Sequence, residues 1–424
     1  MGHLAHGAPG RGQHRARHRP VRPGHHPCRR GRPALVDAFA AEAGRRIGLF
    51  GLLHTAELPD DLDRYAFFVP DTFAPTAETH PRALEPFQAF NLSMARASAR
   101  NVSTSIDRPA ALRFLLRAPR LGLRPATVGR LVKQLVDERR HPDRVRRRSY
   151  QSVLAFDLFA HQLRTTSPDT AAFFTNHVAS AMHRYWAATF PHDYPPDSFG
   201  FDDEWIATWS GELEAALAHA DRMLGRLRAH CDATGALLVV ASSMGQQAAQ
   251  GTPVGRQLYL RDVDAFVRAA GIDPGAVERR PAMDPQVNVR VADEGSLARL
   301  RDRLGRLQIG GQPISWHEET DGFVSMEFGQ ADDAIGAITV GADSHAPEAL
   351  GFEIIEIEDE VASTGYHVPE GILLTYDPAA PSPAGQERAQ VPTTAIAPLV
   401  LEALDVPRPA HHGAPTIGAD VRPG

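Results

Sequence analysis

Residues 236–245 of the chain read ALLVVASSMG, six apolar residues followed by two serines, a methionine and a glycine. A short apolar run that ends in polar residues and glycine is typical of a strand buried on both faces. Comparable runs lie at residues 46–51, 171–175 and 371–376, with amphipathic helical periodicity between them. This alternation predicts an α/β fold, a three-layer α/β/α sandwich with a mainly parallel, doubly wound sheet.

The pattern changes in two places along the chain. Residues 83–165 are mainly helical in periodicity, with prolines as breaks. Residues 286–291 and 323–328 instead alternate like strands with one solvated face, and residues 296–307 between them have helical spacing. We therefore expect one domain over residues 33–424, with a small α+β insertion or cap at about 285–342.

Composition narrows the class of protein. The 424 residues are 43% hydrophobic and 23% charged, which is ordinary for a soluble globular protein. A net charge of -6 disfavours a general nucleic-acid binder. No apolar run approaches the roughly 20 residues of a membrane-spanning helix, and no secretory signal is visible. With Cys28 and Cys231 as its only cysteines, the chain is expected to be cytoplasmic.

The first 32 residues differ from the rest of the chain. They contain eight arginines, six histidines and no acidic residue. Such a segment buries too little apolar surface to offset the entropy of ordering it. We expect a disordered basic tail or a misassigned start. The alternatives are a basic arm for RNA or anionic lipid and a histidine-rich metal-binding tract.

Residues 108–148 are rich in arginine and leucine, with proline breaks at 119, 125 and 142. The basic face of these helices could meet an anionic substrate or partner. A charged helical face that is simply solvated is the more ordinary interpretation, and the sequence favours it without excluding the other.

Three motifs in register carry a resemblance. Residues 173–186 read FFTNHVASAMHRYW, residues 237–245 read LLVVASSMG, and residues 365–374 read GYHVPEGILL. Residues 393–407 then read TTAIAPLVLEALDVP. In order and spacing these segments resemble the alkaline phosphatase superfamily, and within it the type I phosphodiesterase/nucleotide pyrophosphatase branch.

The resemblance implies a phosphoester hydrolase with two divalent metals, usually zinc, and a serine or threonine nucleophile. Matched position by position, it implies His183, His367 and His177 as metal ligands, and Ser243 and Asn176 as substrate-binding residues. Imidazole nitrogen is a suitable ligand for Zn²⁺. Each of the three histidines could instead be a packed, hydrogen-bonded residue of the core. We expect His183 and His367 to converge at the carboxyl ends of the strands.

The chain departs from the family pattern at several ligand positions. The family's S-D-H-G motif is Ser242 to Gly245 here, with Ser243 and Met244 in place of the carboxylate and the imidazole. Ala179 stands four residues before His183, where the family has aspartate. Residues 1–32 contain no Asp, Ser or Thr, so the Asp-Gly strand and the nucleophile are not found before the first helix.

Two functions remain open. The first is a phosphoester hydrolase by descent, impaired in this chain, with zinc as the expected metal and a small phosphorylated or sulfated molecule as substrate. The alternative is a non-catalytic pseudo-hydrolase that binds an anionic ligand or a protein partner. The chain has no phosphate-binding P-loop, no G-x-S-x-G nucleophile elbow and no dinucleotide fingerprint after a strand. Substrate identity and oligomeric state are not indicated.

Overall fold

The structure, a computed structural model, describes residues 43–53, 55, 57–97, 107–140, 146–195, 202–249, 256–280, 282, 286–328, 335–356, 364–380 and 390–408. The expected basic tail at 1–32 lies outside these residues.

The described α-helices occupy much of the segment with helical periodicity at 83–165 and also lie further along the chain. They are α1 (Glu85–Ala97), α2 (Arg108–Arg117), α3 (Pro125–Arg140), α4 (Arg147–Thr166), α5 (His177–Thr189), α6 (Asp203–Trp209), α7 (Glu212–Thr234), α8 (Val263–Ala269), α9 (Glu294–Arg306) and α10 (Ile396–Ala403). Within the described ranges, none of them combines the length and the apolarity needed to cross a lipid bilayer.

The described strands are short. They are β1 (Ile47–Phe50), β2 (Tyr65–Val69), β3 (Thr170–Phe173), β4 (Leu238–Ser242), β5 (Gly245–Ala248), β6 (Arg256–Leu260), β7 (Val277–Arg280), β8 (Gln286–Val291), β9 (Leu307–Ile309), β10 (Gln312–Pro313), β11 (Ser315–Glu318), β12 (Phe323–Glu327), β13 (Ile338–Val340), β14 (Asp343–His345), β15 (Phe352–Glu356), β16 (Gly365–Val368) and β17 (Ile372–Tyr376).

A three-stranded parallel sheet forms the first core, in the order β2-β1-β3. The β1 and β2 strands are buried along their whole length, as expected for parallel strands covered on both faces. A side chain at Gly48 would lie 2.2 Å from the ring of Phe67, so only glycine lets that ring cross the sheet. The Phe67 ring then packs edge-on against Phe159 of α4, which fixes the helical layer on the sheet.

The mixed α/β class is confirmed, but a mainly parallel doubly wound sheet is not. The β4 and β17 strands pair with each other, antiparallel, in a separate two-stranded ribbon. The β5 and β16 strands form a second such ribbon. The sheets of the described residues are therefore small and mostly antiparallel. An apolar run establishes that a strand exists, whereas its neighbour and direction depend on contacts distant in sequence.

Residues 256–356 contain a second, α+β arrangement with its own hydrophobic cluster, in which Val289, Leu300 and Val324 are fully buried. One four-stranded antiparallel sheet has the order β11-β12-β8-β7 and another the order β10-β9-β13-β14. The cluster extends from Leu258 to Phe352, which is wider than the predicted cap at 285–342.

Candidate functional site

The structure brings His183 and His367 together, as a shared site requires. Their ring centroids are 4.7 Å apart and the rings are perpendicular, although the residues are 184 positions apart in the sequence. His183 lies in α5 and is half-buried, whereas His367 is exposed in β16. Because β16 belongs to an antiparallel ribbon, His367 is not at the carboxyl end of a parallel strand, as the expected arrangement required.

Helix α5 is interrupted beside His183. Tyr185 has non-helical dihedral angles (φ -118°, ψ 15°), so the usual bond from the Ala187 N–H to the His183 carbonyl is broken. Buried Thr364 replaces it: its N–H donates to the His183 carbonyl at 2.6 Å, and its Oγ1 accepts from the Ala187 N–H at 3.2 Å. The same hydroxyl lies 3.0 Å from the Arg184 carbonyl and can donate to it. Thr364 therefore joins the segment that carries His367 to the helix that carries His183.

Gly365 allows the close approach of β16 to α5. A Cβ atom there would lie 2.6 Å from the Met182 carbonyl oxygen, a distance that no side chain tolerates without backbone movement. The backbone of β16 therefore lies directly against the backbone of α5. This small residue thereby places His367, two positions later, against the ring of His183.

Hydrogen bonding sets the tautomer of His183. Its Nδ1 is 2.7 Å from the Gly365 carbonyl oxygen, and a carbonyl can only accept. Nδ1 therefore carries the hydrogen, and Nε2 has the lone pair. Burial lowers the pKa of His183; the Gly365 bond opposes this effect, and the neighbouring His367 adds to it. A neutral imidazole held by a carbonyl through its other nitrogen is the usual form of a metal-ligating histidine.

Gln246 is the site residue that sequence reasoning missed. It lies directly opposite His367 in the β5–β16 pairing, so the two side chains share one face of the ribbon. Its Nε2 donates to the Ala179 carbonyl at 3.2 Å. Its Oε1 is buried and has no hydrogen-bond partner among the described residues. A buried acceptor without a partner costs about 1–3 kcal/mol, and a bound cation or donor would offset that cost.

His177 is held differently from the other two histidines. It is buried, with Nδ1 at 2.7 Å from Thr175 Oγ1 and Nε2 at 3.2 Å from the Ala216 carbonyl of α7. Burial lowers its pKa as well. His177 could bind a metal only by giving up one of these hydrogen bonds, which link α5 to the loop that follows β3 and to α7.

Ser243 and Asn176 are both exposed at the ends of strands. Ser243 follows β4, and Asn176 precedes the first residue of α5, where its side chain makes no capping hydrogen bond. Both are accessible to a solute, and their substrate-binding role stays a prediction. Met244, at the position of the family's imidazole, is 49% exposed, and its thioether is a weak ligand for Zn²⁺.

The ligand count limits what the site can hold. Over the residues that the structure describes, no group of three or more histidine, cysteine, aspartate or glutamate side chains is placed to hold a metal ion. Two imidazoles, with the Gln246 side chain opposite His367 in the ribbon, could hold at most a single divalent cation completed by water or ligand oxygens. They do not fit the two-metal centre that the family resemblance implies.

Comparisons with known protein families, with curated proteins and with solved structures find no match to this chain. What the structure itself shows is a mixed α/β protein in which the rings of His183 and His367 meet.

Proposed function

We propose that the chain is a phosphoester hydrolase by descent that retains one cation-binding site and little or no turnover. The convergence of His183 and His367 carries this proposal, because two imidazoles so far apart in sequence are rarely brought into ring contact by local packing alone. Their motifs are also those that carry the resemblance to the type I phosphodiesterases. Zinc is a divalent metal that imidazole ligands suit well.

Different residues of the site would bind the cation and the ligand. The lone pair of His183 Nε2 and a ring nitrogen of His367 would hold the cation, and Gln246 Oε1 would accept a hydrogen bond or complete the coordination. The cation would supply a positive charge for the oxygens of a phosphoester. Ser243 and Asn176 are the hydroxyl and amide proposed to contact that ligand.

The alternative is a pseudo-hydrolase that binds an anionic ligand without cleaving it. The ligand set favours this second function, since catalytic zinc sites hold the metal with three protein side chains. Substitution of the S-D-H-G carboxylate and imidazole by Ser243 and Met244 points the same way. Both functions predict cation binding. The alternative allows no turnover at all, whereas a hydrolase by descent is compatible with a low residual rate.

Zinc titration of the purified chain tests the cation site. We expect one Zn²⁺ per chain by calorimetry, with affinity reduced roughly tenfold or more in His183→Ala and in His367→Ala. His192→Ala, which removes an exposed histidine elsewhere, is the matched control and should bind as the unchanged chain does. Equal affinity in all four proteins would contradict the proposed site.

Turnover is tested separately with bis-p-nitrophenyl phosphate in the presence of Zn²⁺ or Mn²⁺. We expect no release of p-nitrophenol above the rate of the free metal. Robust hydrolysis that both alanine substitutions abolish would show that a residue outside the proposed set supplies the nucleophile. It would also reject the alternative function.

A further inference from the structure

Helix α2 exposes leucines on its outer face. Ala110 and Phe114 are buried, and the opposite side carries Leu112, Leu115 and Leu116, which are 59%, 46% and 75% exposed. These three positions have the i, i+3, i+4 spacing of one helical stripe. The helix is therefore apolar on the side that packs and also on the side that faces solvent.

Helix α3 has its polarity inverted. Its inward side buries Thr127, Gln134 and Glu138. A stripe of valines with i, i+4, i+8 spacing faces outward instead: Val128, Val132 and Val136, which are 37%, 54% and 41% exposed. A helix that needed only to cover the protein core would place these residues the other way round. Contiguous exposed apolar residues of this kind mark an interaction surface.

Positive charge accompanies the apolar stripes. Residues 107–140 contain nine arginine and lysine residues and only three acidic residues, although the whole chain has a net charge of -6. Arg113 and Arg117 of the same helix as the leucine stripe are exposed. Within the described residues, no ion pair involves either of them. The segment thus carries an exposed apolar stripe on each of its two helices, together with a strong excess of basic residues.

The exposed apolar stripes and the excess of basic residues together indicate what kind of partner binds this segment. A second copy of the chain would bring two basic segments together, and like charges repel across a symmetric interface. A nucleic acid would pair with the arginines but would leave the leucines and valines in water. A bilayer with anionic head groups satisfies both, because apolar side chains enter the acyl boundary while arginines meet the phosphate and carboxylate groups.

We propose that residues 108–140, the segment from α2 to α3, dock the protein peripherally on an anionic membrane surface. The leucine and valine stripes provide the apolar contact and the arginines the selectivity for negative lipids. The inference is independent of the histidine site and of any hydrolytic activity.

Vesicle co-sedimentation with the full chain tests the proposal. Vesicles of phosphatidylcholine alone are compared with vesicles that also contain about one third phosphatidylserine. We expect binding to the anionic vesicles only, weakened by added salt. The double variant Arg113→Gln/Arg117→Gln should bind roughly 30-fold more weakly, since each basic residue near an anionic surface is worth about fivefold.

A second variant tests the apolar contribution. Leu116→Gln/Val132→Gln changes two exposed positions, so it should leave thermal unfolding unchanged while reducing anionic-vesicle binding roughly tenfold or more. The matched control is Leu217→Gln/Arg279→Gln, at exposed positions outside the segment, which should bind as the unchanged chain does.

Several outcomes would overturn the proposal. Equal binding to neutral and anionic vesicles would show that the arginines do not select negative lipids. A lack of co-sedimentation with either kind of vesicle would show that the segment does not bind membranes. A concentration-dependent dimer that only Leu116→Gln/Val132→Gln abolishes, without vesicle binding, would show that a second copy covers the stripes. Equal losses in the control variant would show that the effect is not specific to this segment.

Discussion

Thr364 provides, from a segment distant in sequence, the hydrogen bonds that the interrupted helix α5 lacks. Its N–H donates to the His183 carbonyl and its hydroxyl accepts from the Ala187 N–H, and the second of these bonds is buried. Thr364→Val keeps the shape and removes the hydroxyl. We expect a loss of about 1–3 kcal/mol in the free energy of unfolding, because a buried N–H is left without its acceptor.

Urea denaturation measures this loss, with Thr339→Val in strand β13 as control. Thr339 is half-buried, and valine suits a strand as well as threonine does, so the control should change stability little. Equal effects of the two substitutions would mean that the interruption at Tyr185 does not depend on Thr364.

His219 makes stability depend on pH. It is buried in α7, and its Nδ1 accepts from Arg222 Nη2 at 3.1 Å, so its ring is neutral. Burial first, and then the charge of Arg222, lowers the pKa of His219 to about 4. The unfolded chain, with an ordinary histidine pKa of about 6.5, takes up this proton first as the pH falls. The contribution to stability is therefore complete above pH 6.5 and is lost as the pH falls towards 4.

We expect the free energy of unfolding to fall by on the order of 2 kcal/mol over that window because of this one residue. His219→Gln should flatten the pH dependence measured by urea denaturation at several pH values, whatever it does to stability at neutral pH. His192→Gln, an exposed histidine, should leave the slope unchanged. A slope that survives in His219→Gln would assign the effect to another buried histidine, such as His177.

At the scale of elements, local periodicity predicted which strands exist better than it predicted which strands pair with each other. The alternation over residues 286–291 is a property of the strand itself, and β8 has those bounds. The apolar run at 236–241 also marks a strand, but β4 pairs antiparallel with β17 instead of joining β3 in a parallel sheet. Pairing depends on the packing of helices many residues away, which no local pattern encodes.

The residues of the candidate site also fall into those that local sequence predicts and those that it does not. His183 and His367 could be predicted because each lies in a motif with a recognisable residue order. Thr364 and Gln246 could not, because their roles depend on an interrupted helix and on the register of a two-stranded ribbon. Only three-dimensional contacts show that Gln246 Oε1 is buried without a hydrogen-bond partner.

The ribbon of β4 and β17 exposes apolar side chains, with Ile372 at 65% and Leu374 at 52%. Because both side chains already face water, we expect Ile372→Thr/Leu374→Thr to change the free energy of unfolding by less than about 0.5 kcal/mol per site. Self-association, followed by light scattering during heating, should decrease because exposed apolar strands promote edge pairing.

Leu258→Thr is the matched control for this pair. Leu258 is fully buried in β6, and loss of its side chain should cost about 2–5 kcal/mol. A comparable loss in the ribbon variant would show that Ile372 and Leu374 are covered in solution by something that the described residues do not include.

At the scale of the whole molecule, the largest hydrophobic clusters share no residue. One is built from residues between Phe50 and Met223 around the parallel sheet. The other is built from residues between Leu258 and Phe352. Contacts within each cluster support one another, so each is expected to open as a cooperative unit. The candidate site lies in neither cluster, since His183 and His367 belong to α5 and β16.

Separate destabilisation of the two clusters tests this division. Leu300 is fully buried in α9, and Leu300→Ala should cost about 2–5 kcal/mol through lost burial and a cavity. Phe87, 1% exposed, contacts Phe50 and Phe114, and Phe87→Ala should cost about 3–5 kcal/mol.

Hydrogen exchange followed by mass spectrometry should show faster exchange over residues 256–356 in the first variant and over β1, β2 and α1 to α4 in the second. Leu217→Ala, at a 46% exposed position, should change neither. If Leu300→Ala accelerates exchange equally across both clusters, the chain unfolds as one unit, and the boundary inferred from its cores is wrong.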